Sequence, residues 1–342
     1  MENKKKASLE VVFFHRKPRT VGNYSVEFIF EDVRKRLNGK INSRVVVSAY
    51  ESAGLFKRLY NCYQAWRNQG QVNHITGDVN YLGLLLKRNA TIQTILDCVH
   101  LNSSRGIKYS VLKLFWLSIP ERRAKFITAI SESTKQEILR HHKCDPNKIV
   151  VIPVAISSKF KKAEKPFNKE CPRILQVGTA PNKNIPKLIE ALQGLPCVLN
   201  IVGKQNDAYE ALLKKYNIQY IYEWGLTDEQ IMERYEQADI LSLVSTYEGF
   251  GMPILEAQAV GRAVITSTLY SMPEVAGEAA VMVDPFVASE IRKGLEKVIN
   301  DDSFRTDMIA RGFENIKRFD PEVIAEKYLN LYQNVILSHS IS

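Results

Sequence analysis

The fold of this chain is decided by the stretch Ser245-Thr-Tyr-Glu-Gly-Phe-Gly-Met-Pro-Ile-Leu-Glu-Ala-Gln-Ala-Val-Gly261. It follows the apolar run Ile240–Val244, which predicts a buried parallel strand. Gly249 and Gly251 permit a tight turn that brings the backbone close to a ligand. Pro253 suits the first turn of a helix, where its missing N–H costs no hydrogen bond. The predicted order is strand, glycine-rich turn and helix, and the free N–H groups at the helix start favour an anion.

Two acidic residues, Glu248 and Glu256, flank this predicted anion site. A carboxylate beside a bound phosphate would repel it, so we expect both side chains to reach past the phosphate to neutral hydroxyl groups on either side. A ligand with a phosphate centre and a polyol at each end is a nucleoside-diphosphate sugar. An alternative stays open for Glu256, because an acid near a helix start can simply complement the helix dipole.

The same residues carry a resemblance to a known family. Glu248 and Glu256, separated by seven residues, resemble the Glu-x7-Glu motif of retaining glycosyltransferases of family 4. The segments Arg262-Ala-Val-Ile-Thr-Ser267 and Ser271-Met-Pro-Glu-Val275 fit the same pattern. The resemblance spans nearly the whole chain and is specific within residues 171–285. It implies an α/β chain of GT-B fold, with two Rossmann-like doubly wound domains facing across a cleft and a C-terminal helix crossing back to the N-terminal domain.

Charge is distributed unevenly along the 342 residues. Residues 1–170 hold 31 Lys and Arg against 14 Asp and Glu, whereas residues 171–342 hold 16 against 23. This asymmetry favours two domains, which we place at 1–165, with a return helix at 321–340, and at 171–320. The first is expected to bind the acceptor and the second the nucleotide sugar. A basic half can meet an anionic membrane, a phosphorylated substrate or nucleic acid, or carry solvated lysines.

Cysteine usage and hydropathy indicate the compartment. The five cysteines are scattered, odd in number and without a Cys-x-x-Cys pair, which argues against a disulfide framework or a zinc site. The N-terminal apolar run Val11–Phe14 is too short for a secretion signal, and no apolar stretch approaches the roughly 18 residues of a membrane span. We therefore expect a cytoplasmic protein, and leave open a peripheral position on the inner face of the membrane.

Strands alternate with helices in both halves, which predicts parallel sheets whose ligands lie at the carboxyl ends of the strands. The strand Arg173–Val177 ends at Gly178, and Val198–Val202 ends at Gly203. Near the N-terminus, Gly22 lies in a loop between the first strand and the first helix. Within the resemblance, that loop lies under the donor diphosphate.

Lys183 follows a predicted strand beside the expected phosphate, where an ammonium group can neutralise a leaving diphosphate. The alternative is an ordinary exposed loop lysine. Family 4 members usually carry Arg and Lys near this place, but here Gly178-Thr179 replaces the commoner Gly-Arg. A second cation would then come from the first domain. The candidates for it are Arg16, Lys17 and Arg19.

We assign Glu256 to the ribose hydroxyls and Glu248 to hydroxyls of the transferred sugar. The His-Asp pair that the family pattern places before the acceptor loop is here Leu96-Asp97, a departure from that pattern. We expect Glu248, Lys183 and Asp97 to be catalytic. The expected donor-binding residues are Gly22, Gly178, Thr179, Lys183, Gly203, Tyr222, Gly225, Glu248, Gly249, Phe250, Gly251, Met252, Pro253, Leu255 and Glu256.

No Asp-x-Asp motif or histidine cluster indicates a metal site, so we expect no metal and no cofactor. The histidines are interpreted as surface or structural residues: His74, His100, His141 and His142. The substrates are expected to be a UDP-, GDP- or ADP-sugar donor and a glycan or lipid-linked acceptor. Nucleic acid is not an expected partner, because the basic half lacks a readable binding motif.

The resulting hypothesis is a metal-independent retaining glycosyltransferase of polysaccharide or cell-surface glycan synthesis. The resemblance implies a same-face displacement in which the departing phosphate takes the acceptor proton. Two alternatives stay open: a nucleotide-sugar epimerase of the same fold, and a catalytically silent nucleotide-sugar-binding subunit, which Leu96 suggests. The segment Ile107–Ser118 is a predicted helix that either lies on an anionic membrane or covers a sheet.

Overall fold

The computed structural model describes residues 9–18 and 25–337, the side chains of residues 25–27 excepted. By its contacts the chain divides into two compact units. The first ends at Ala155 and resumes at Pro321, and the second is Ile156–Asp320. Each unit is built on a parallel sheet of six strands. Within the described residues, no helix combines the length and apolarity that a bilayer span requires.

The twelve strands confirm the predicted alternation, with bounds that differ from the expected ones by a few residues. They are β1 (Leu9–His15), β2 (Ile41–Val47), β3 (Val72–Ile75), β4 (Thr91–Ile95), β5 (Phe126–Ala129), β6 (Ile149–Val151), β7 (Arg173–Val177), β8 (Val198–Val202), β9 (Gln219–Glu223), β10 (Ile240–Leu243), β11 (Ala263–Ser267) and β12 (Val281–Val283). The strand order is β2-β1-β3-β4-β5-β6 in the first unit and β12-β11-β10-β7-β8-β9 in the second.

Helices connect these strands, as parallel pairing requires. They are α1 (Ser25–Arg36), α2 (Leu55–Arg67), α3 (Val99–Asn102), α4 (Gly106–Lys113), α5 (Ile119–Arg123), α6 (Glu132–His141), α7 (Ile185–Leu192), α8 (Asp207–Lys215), α9 (Asp228–Gln237), α10 (Met252–Val260), α11 (Met272–Ala276), α12 (Ala288–Asn300), α13 (Asp302–Asn315) and α14 (Pro321–Leu337). Side chains cap two of these helices: the Ser131 hydroxyl accepts from the Thr134 N–H at the start of α6, and Thr227 forms a capping box with Gln230 at the start of α9.

The first unit closes its core with α14, which follows the second unit in sequence and returns to the first. Its Tyr328 and Tyr332 are fully buried among apolar residues of β1, β3 and α1. The Tyr332 ring meets Phe13 edge-on, and Tyr328 meets Phe30 in the same way. The predicted return of the last helix to the first domain is therefore confirmed.

A buried histidine, His74, lies within this core. Its Nδ1 is 2.9 Å from the Tyr332 hydroxyl and its Nε2 is 2.8 Å from Thr94 Oγ1. Thr94 in turn lies 2.6 Å from the Thr128 hydroxyl. Burial lowers the pKa of His74 to about 3, so the ring is neutral at physiological pH. His74 is structural, as the sequence analysis expected.

The second unit buries a largely aliphatic core between its sheet and helices such as α7 and α12. Strand β10 is buried along its whole length between β7 and β11, in agreement with its continuous apolar run. The core includes Ile174, Leu199, Ile240 and Ile265 from four neighbouring strands. This central position places the loop after β10 in the middle of the sheet edge.

The boundary between the units lies earlier than expected. Residues 156–165, which we placed in the first domain, lie with the second unit. The Ile156 N–H donates to the Phe319 carbonyl, and the Ala163 N–H donates to the Val260 carbonyl. The Arg262 guanidinium donates to the Ala163 carbonyl. These bonds join residues about 100 or more positions apart, so local composition could not predict them.

The predicted helix Ile107–Ser118 is interrupted. It consists of α4 followed by a π-helical turn at Leu114–Ser118, which leads into α5. Trp116 and Leu117 pack on the apolar cluster beside the sheet, whereas Ile107 is 85% exposed. The segment therefore covers the sheet with one face and leaves apolar side chains of another face exposed.

Candidate functional site

The predicted anion site lies at the carboxyl edge of the second sheet. The chain leaves β10 at Leu243 and enters α10 at Met252, with Gly251 as the helix N-cap at φ 102°. Pro253 is in the first turn and Gly261 ends the helix, as the sequence predicted. The strand, turn and helix therefore follow in the expected order and direct the helix N-terminus towards this edge.

Lys183 and Glu248 meet directly at this edge. Lys183 Nζ lies 2.6 Å from Glu248 Oε1, and the Ser245 hydroxyl donates to the same oxygen at 2.7 Å. The two charged side chains are only 16% and 14% exposed, which shields the ion pair from solvent. Lys183 is thus not an ordinary exposed loop lysine.

Asparagine side chains hold the two loops of this ion pair together. Asn182 Nδ2 donates to the Tyr247 carbonyl at 2.9 Å, and the Asn182 carbonyl accepts from the Thr246 N–H at 2.8 Å. Asn184 Nδ2 donates to the Val244 carbonyl at 3.1 Å. The loop after β7 is therefore fixed to the loop after β10. The hydrogen bonds of Asn182 and Asn184, on either side of Lys183, hold its backbone in place beside the second loop.

Two glycines leave the space that this arrangement needs. Gly178 has φ 87°, and a Cβ atom there would lie 2.8 Å from Lys183 Cε. Gly203 has φ 157°, and a Cβ atom there would lie 2.7 Å from Thr179 Cγ2. A larger residue at position 178 would displace the Lys183 side chain, and one at position 203 would displace Thr179. The expected site residues Gly178, Thr179, Lys183 and Gly203 therefore lie together.

Glu256 lies in the second turn of α10, one turn later than expected for an acid that only complements the helix dipole. Its carboxylate accepts a hydrogen bond from the hydroxyl of Tyr235, which is fully buried on α9. Burial raises the pKa of Glu256, while the Tyr235 hydrogen bond and the charge of Lys183 oppose the rise. Lys183, Glu248 and Glu256 therefore form one electrostatic cluster.

Sequence reasoning missed Tyr235, Ser245 and Ser271. Ser271 is fully buried and its hydroxyl lies 2.9 Å from both the Glu248 and the Phe250 carbonyl oxygens. Ser245 stands in the decisive stretch itself, so its position after β10 was an available signal. Ser271 begins the segment Ser271–Val275, which fits the family pattern, but no role was assigned to it. Tyr235 reaches the site from α9, and no local pattern indicated it.

Tyr222 and Gly225, two of the expected donor-binding residues, are expected to border the nucleotide base because they lie at a strand end, and they lie further along the same edge. Tyr222 is in β9, separated from β7 by β8, and its hydroxyl donates to the Lys204 carbonyl at 3.0 Å. Burial raises the pKa of Tyr222. Gly225 follows β9 with φ 74°. Their place beside the nucleotide base stays a prediction.

In the first unit, the expected site residues Asp97 and Arg16 both have partners within the protein. Asp97 Oδ1 accepts from the Val99 N–H at 3.0 Å, and burial raises the pKa of Asp97. Leu96 is half-buried against the apolar core. Arg16 lies 2.7 Å from Asp78, so this candidate second cation has a carboxylate partner. Two other candidates, Gly22 and Arg19, lie outside the described residues.

An open pocket of about 760 Å³ occurs at the opposite, amino-terminal edge of the second sheet. Arg173 and Asp239 line it, and both are bonded to neighbours, Arg173 to Gln237 and Asp239 to Lys165. Ligands of parallel sheets bind at the carboxyl ends of strands, so we place the candidate site at the Lys183 edge. Over the described residues, no three His, Cys, Asp or Glu side chains are grouped closely enough for a metal ion.

Comparison with known protein families supports a glycosyltransferase. Residues 157–315 match the family model described as glycosyl transferases group 1. This range includes all the candidate residues of the second unit.

Curated relatives agree with the family match. The chain is 28% identical over 308 residues to O-antigen chain mannosyltransferase B of Escherichia coli, covering 81% of this chain and 79% of that protein. It is 27% identical over 221 residues to the serotype-specific mannosyltransferase WbdA of the same organism. The chain spans only 27% of the length of WbdA.

Solved structures establish the fold. Anabaena Alr3699/HepE, in complex with UDP and glucose, matches 95% of this chain with a TM-score of 0.75 at 15% identity, and all of that chain is covered. WaaG, a glycosyltransferase involved in lipopolysaccharide biosynthesis, matches 95% of this chain and 99% of its own, with a TM-score of 0.70 and 15% identity. The two parallel six-stranded sheets therefore have the GT-B fold.

Proposed function

We propose that this chain is a retaining glycosyltransferase that moves a sugar from a nucleotide-diphosphate donor to a glycan or lipid-linked acceptor in polysaccharide synthesis. The observation that carries the proposal is the cluster of Lys183, Glu248 and Glu256 at the carboxyl edge of the second sheet. One cation beside two differently supported carboxylates suits a ligand with a central diphosphate and a polyol on each side.

The two carboxylates have different partners, which favours different roles. Glu248 is bound by Lys183 and Ser245, and we assign it to hydroxyls of the transferred sugar. Glu256 is held by the Tyr235 hydroxyl, and we assign it to the ribose hydroxyls. A bound diphosphate would compete with Glu248 for Lys183, so donor binding would release the Glu248 carboxylate towards the sugar.

Catalysis on this proposal is mainly electrostatic and needs no metal. The ammonium group of Lys183 would stabilise the negative charge that develops on the departing diphosphate. The α10 N-terminus, capped by Gly251, would add the positive end of its dipole. Fixed loops around Asn182 and Asn184 hold these groups in place before the reaction, which lowers the reorganisation needed in the transition state.

The donor is the first part of the proposal to test. The mannosyltransferase names of the relatives and the UDP complex of HepE suggest GDP-mannose and UDP-glucose as first candidates. Thermal-shift screening against UDP, GDP and ADP and then their sugars should show stabilisation by one nucleotide series. If no nucleotide or nucleotide sugar raises the unfolding temperature, the proposal is wrong.

The stereochemical outcome tests the retaining mechanism. Proton NMR of the first product formed should show the same anomeric configuration as the donor, because we expect attack on the face from which the diphosphate leaves. The opposite configuration would reject the retaining mechanism but not glycosyl transfer. Activity that persists after treatment with a chelator would support metal independence.

Leu96 favours a second candidate, a silent nucleotide-sugar-binding subunit. Its side chain lies on an apolar cluster and cannot donate a hydrogen bond to a sugar. We favour an active enzyme whose donor preference depends partly on this apolar position, with a deoxy sugar or a pentose least affected. Nucleotide binding without transfer or hydrolysis, together with activity gained in Leu96→His, would instead establish the silent subunit.

The first unit offers a surface for a membrane-bound acceptor. One face of α2 exposes six apolar or aromatic side chains by between 47% and 86%, and we call it the α2 face. It consists of Leu55, Phe56, Leu59, Tyr60, Tyr63 and Trp66. The same helix carries Lys57 and Arg67, so an anionic membrane would contact both apolar and basic side chains of α2.

Vesicle flotation tests this peripheral position. The chain should float with phosphatidylglycerol vesicles at low salt, bind less as salt rises, and float less after Phe56→Ser with Trp66→Ser. Phe286→Ser is a matched control, because Phe286 is 60% exposed on the second unit. Equal flotation of all variants would place the contact elsewhere, and no flotation would reject it.

A further inference from the structure

Tyr270 has a backbone conformation that its residue type disfavours. Its φ is 53°, in the left-handed region, where a bulky side chain is a genuine outlier and glycine or asparagine is preferred. The ring is nevertheless 40% exposed, so it does not repay this strain by filling the core. A strained, partly exposed aromatic residue is more typical of a binding surface than of packing.

The loop that holds Tyr270 is fixed on both sides. The Thr268 N–H donates to the Val283 carbonyl at 3.0 Å, and the buried Ser271 hydroxyl lies 2.9 Å from the carbonyl oxygens of Glu248 and Phe250. The left-handed conformation is therefore imposed by the surrounding structure. These bonds also join the Tyr270 loop to the turn that carries Glu248.

Tyr270 forms an aromatic pair with Tyr247. The ring centroids are 4.6 Å apart and the planes meet at 66°, an edge-to-face arrangement. Tyr247 directly precedes Glu248 in the chain, and its carbonyl accepts from Asn182 beside Lys183. Both rings are therefore attached to the loops that carry the Lys183–Glu248 pair.

We infer that Tyr247 and Tyr270 form a sugar-binding platform beside Glu248, on which one pyranose ring packs. A sugar presents an apolar C–H face and a rim of hydroxyls, and a tyrosine pair matches both with its rings and its phenol groups. The ring belongs either to the transferred sugar or to the terminal residue of the acceptor. This inference rests on the proposed function and adds to it a site outside the Glu-x7-Glu motif.

Binding measurements with Tyr270→Gly and Tyr270→Phe test the platform. The glycine variant removes both the ring and the backbone strain, so it should fold with an unfolding temperature equal to or above that of the unmodified chain. For GDP and UDP, calorimetry should give unchanged affinity. For GDP-mannose, UDP-glucose or the acceptor glycan, the Kd or KM should rise about tenfold in Tyr270→Gly and less than about threefold in Tyr270→Phe.

The two sources of the pyranose ring separate in this experiment. Weaker nucleotide-sugar binding with an unchanged acceptor KM places the transferred sugar on the platform, and the reverse places the acceptor there. Asn217→Gly is the matched control, since Asn217 has φ 52° at an exposed position after α8 and its substitution relieves the backbone without touching the site.

Two results would overturn the inference. One is a Tyr270→Gly variant with unchanged affinity for both sugar donor and acceptor. The other is equal weakening of nucleotide and nucleotide-sugar binding with a lower unfolding temperature, which would show a structural role alone. If the unmodified chain itself binds no nucleotide or nucleotide sugar, the proposed function fails first and the platform fails with it.

Discussion

Two polar clusters, one in each unit, lie at different levels of similar parallel sheets. In the first unit, His74, Thr94 and Thr128 lie within neighbouring strands and are closed off by Tyr332. Each group has a protein partner, and all of these residues are buried. This arrangement holds α14 on the sheet.

In the second unit, the charged cluster around Lys183 lies after the strands, although buried polar side chains also occur within them, at Gln176, Asn200, Ser242 and Thr266. Lys183, Ser245 and Glu248 follow β7 and β10 at the carboxyl edge. The two charged side chains are slightly exposed, and the Ser245 hydroxyl that donates to Glu248 is buried. The comparison shows that a buried histidine network and an edge cluster of charges have different physical meanings. The first stabilises packing, whereas in the second, on the proposed function, the charge of a bound diphosphate would replace Glu248 beside Lys183.

The largest expected effect is acid destabilisation of the first unit. The pKa of His74 is about 3 in the folded chain and near 6.5 in an unfolded one, so the unfolded chain binds the extra proton first. This contribution to stability is present above pH 6.5 and is lost as the pH falls towards 3. It amounts to about 5 kcal/mol over that window.

Denaturant unfolding of a Trp224→Phe background tests this pH dependence, because Trp66 and Trp116 then report on the first unit alone. His74→Gln should unfold more easily at pH 7 and show a flatter acid dependence. His100→Gln is the control, since His100 is exposed. An unchanged acid dependence in His74→Gln would contradict the assignment.

The second effect concerns turnover in the second unit. Glu248→Gln should lower kcat by roughly 10²–10³-fold, the scale of losing one preorganised electrostatic contact. Affinity for the free nucleotide diphosphate should be unchanged or higher, because Lys183 loses its competing carboxylate. Glu278→Gln, at a 90% exposed side chain, is the control for loss of a carboxylate. A Glu248→Gln enzyme with full turnover would remove Glu248 from the catalytic residues.

The predictable part of the site was local in sequence. The order β10, glycine turn, α10 followed from apolar runs and from the positions of glycine and proline, and the structure confirms it. The Lys183–Glu248 contact joins residues 65 positions apart, and only the parallel order of β7 and β10 brings them together. Tyr235 could not be predicted, since its helical pattern is equally typical of an ordinary core residue.

The third effect is on nucleotide binding. Glu256→Ala should weaken binding of the nucleotide diphosphate by roughly 1.5–3 kcal/mol, the scale of a lost charged hydrogen bond. Glu248→Ala should spare the free nucleotide, which separates the two carboxylates. Calorimetry at a temperature where both variants are folded makes this comparison. If both bind the nucleotide equally badly, the division of roles is wrong.

The smallest effect sharpens the role of Tyr235, which we regard as a positioning residue for Glu256. Tyr235→Phe keeps the edge-on contact with Phe160 but removes the donor to the carboxylate. Burial already raises the pKa of Glu256, Asp228 adds to the rise, and Lys183 and Tyr235 oppose it, so the variant should raise that pKa further. Because the ribose contact needs the ionised carboxylate, nucleotide affinity should begin to fall at a higher pH than in the unmodified chain.

At pH 7 the loss of nucleotide binding free energy in Tyr235→Phe should be about 0.5–1.5 kcal/mol. Measuring the nucleotide Kd between about pH 5 and 8 gives both the pH at which affinity falls and the loss of affinity at pH 7. Tyr209→Phe, at another buried tyrosine, is the control. Superimposable pH profiles for Tyr235→Phe and the unmodified chain would leave Tyr235 with a packing role alone.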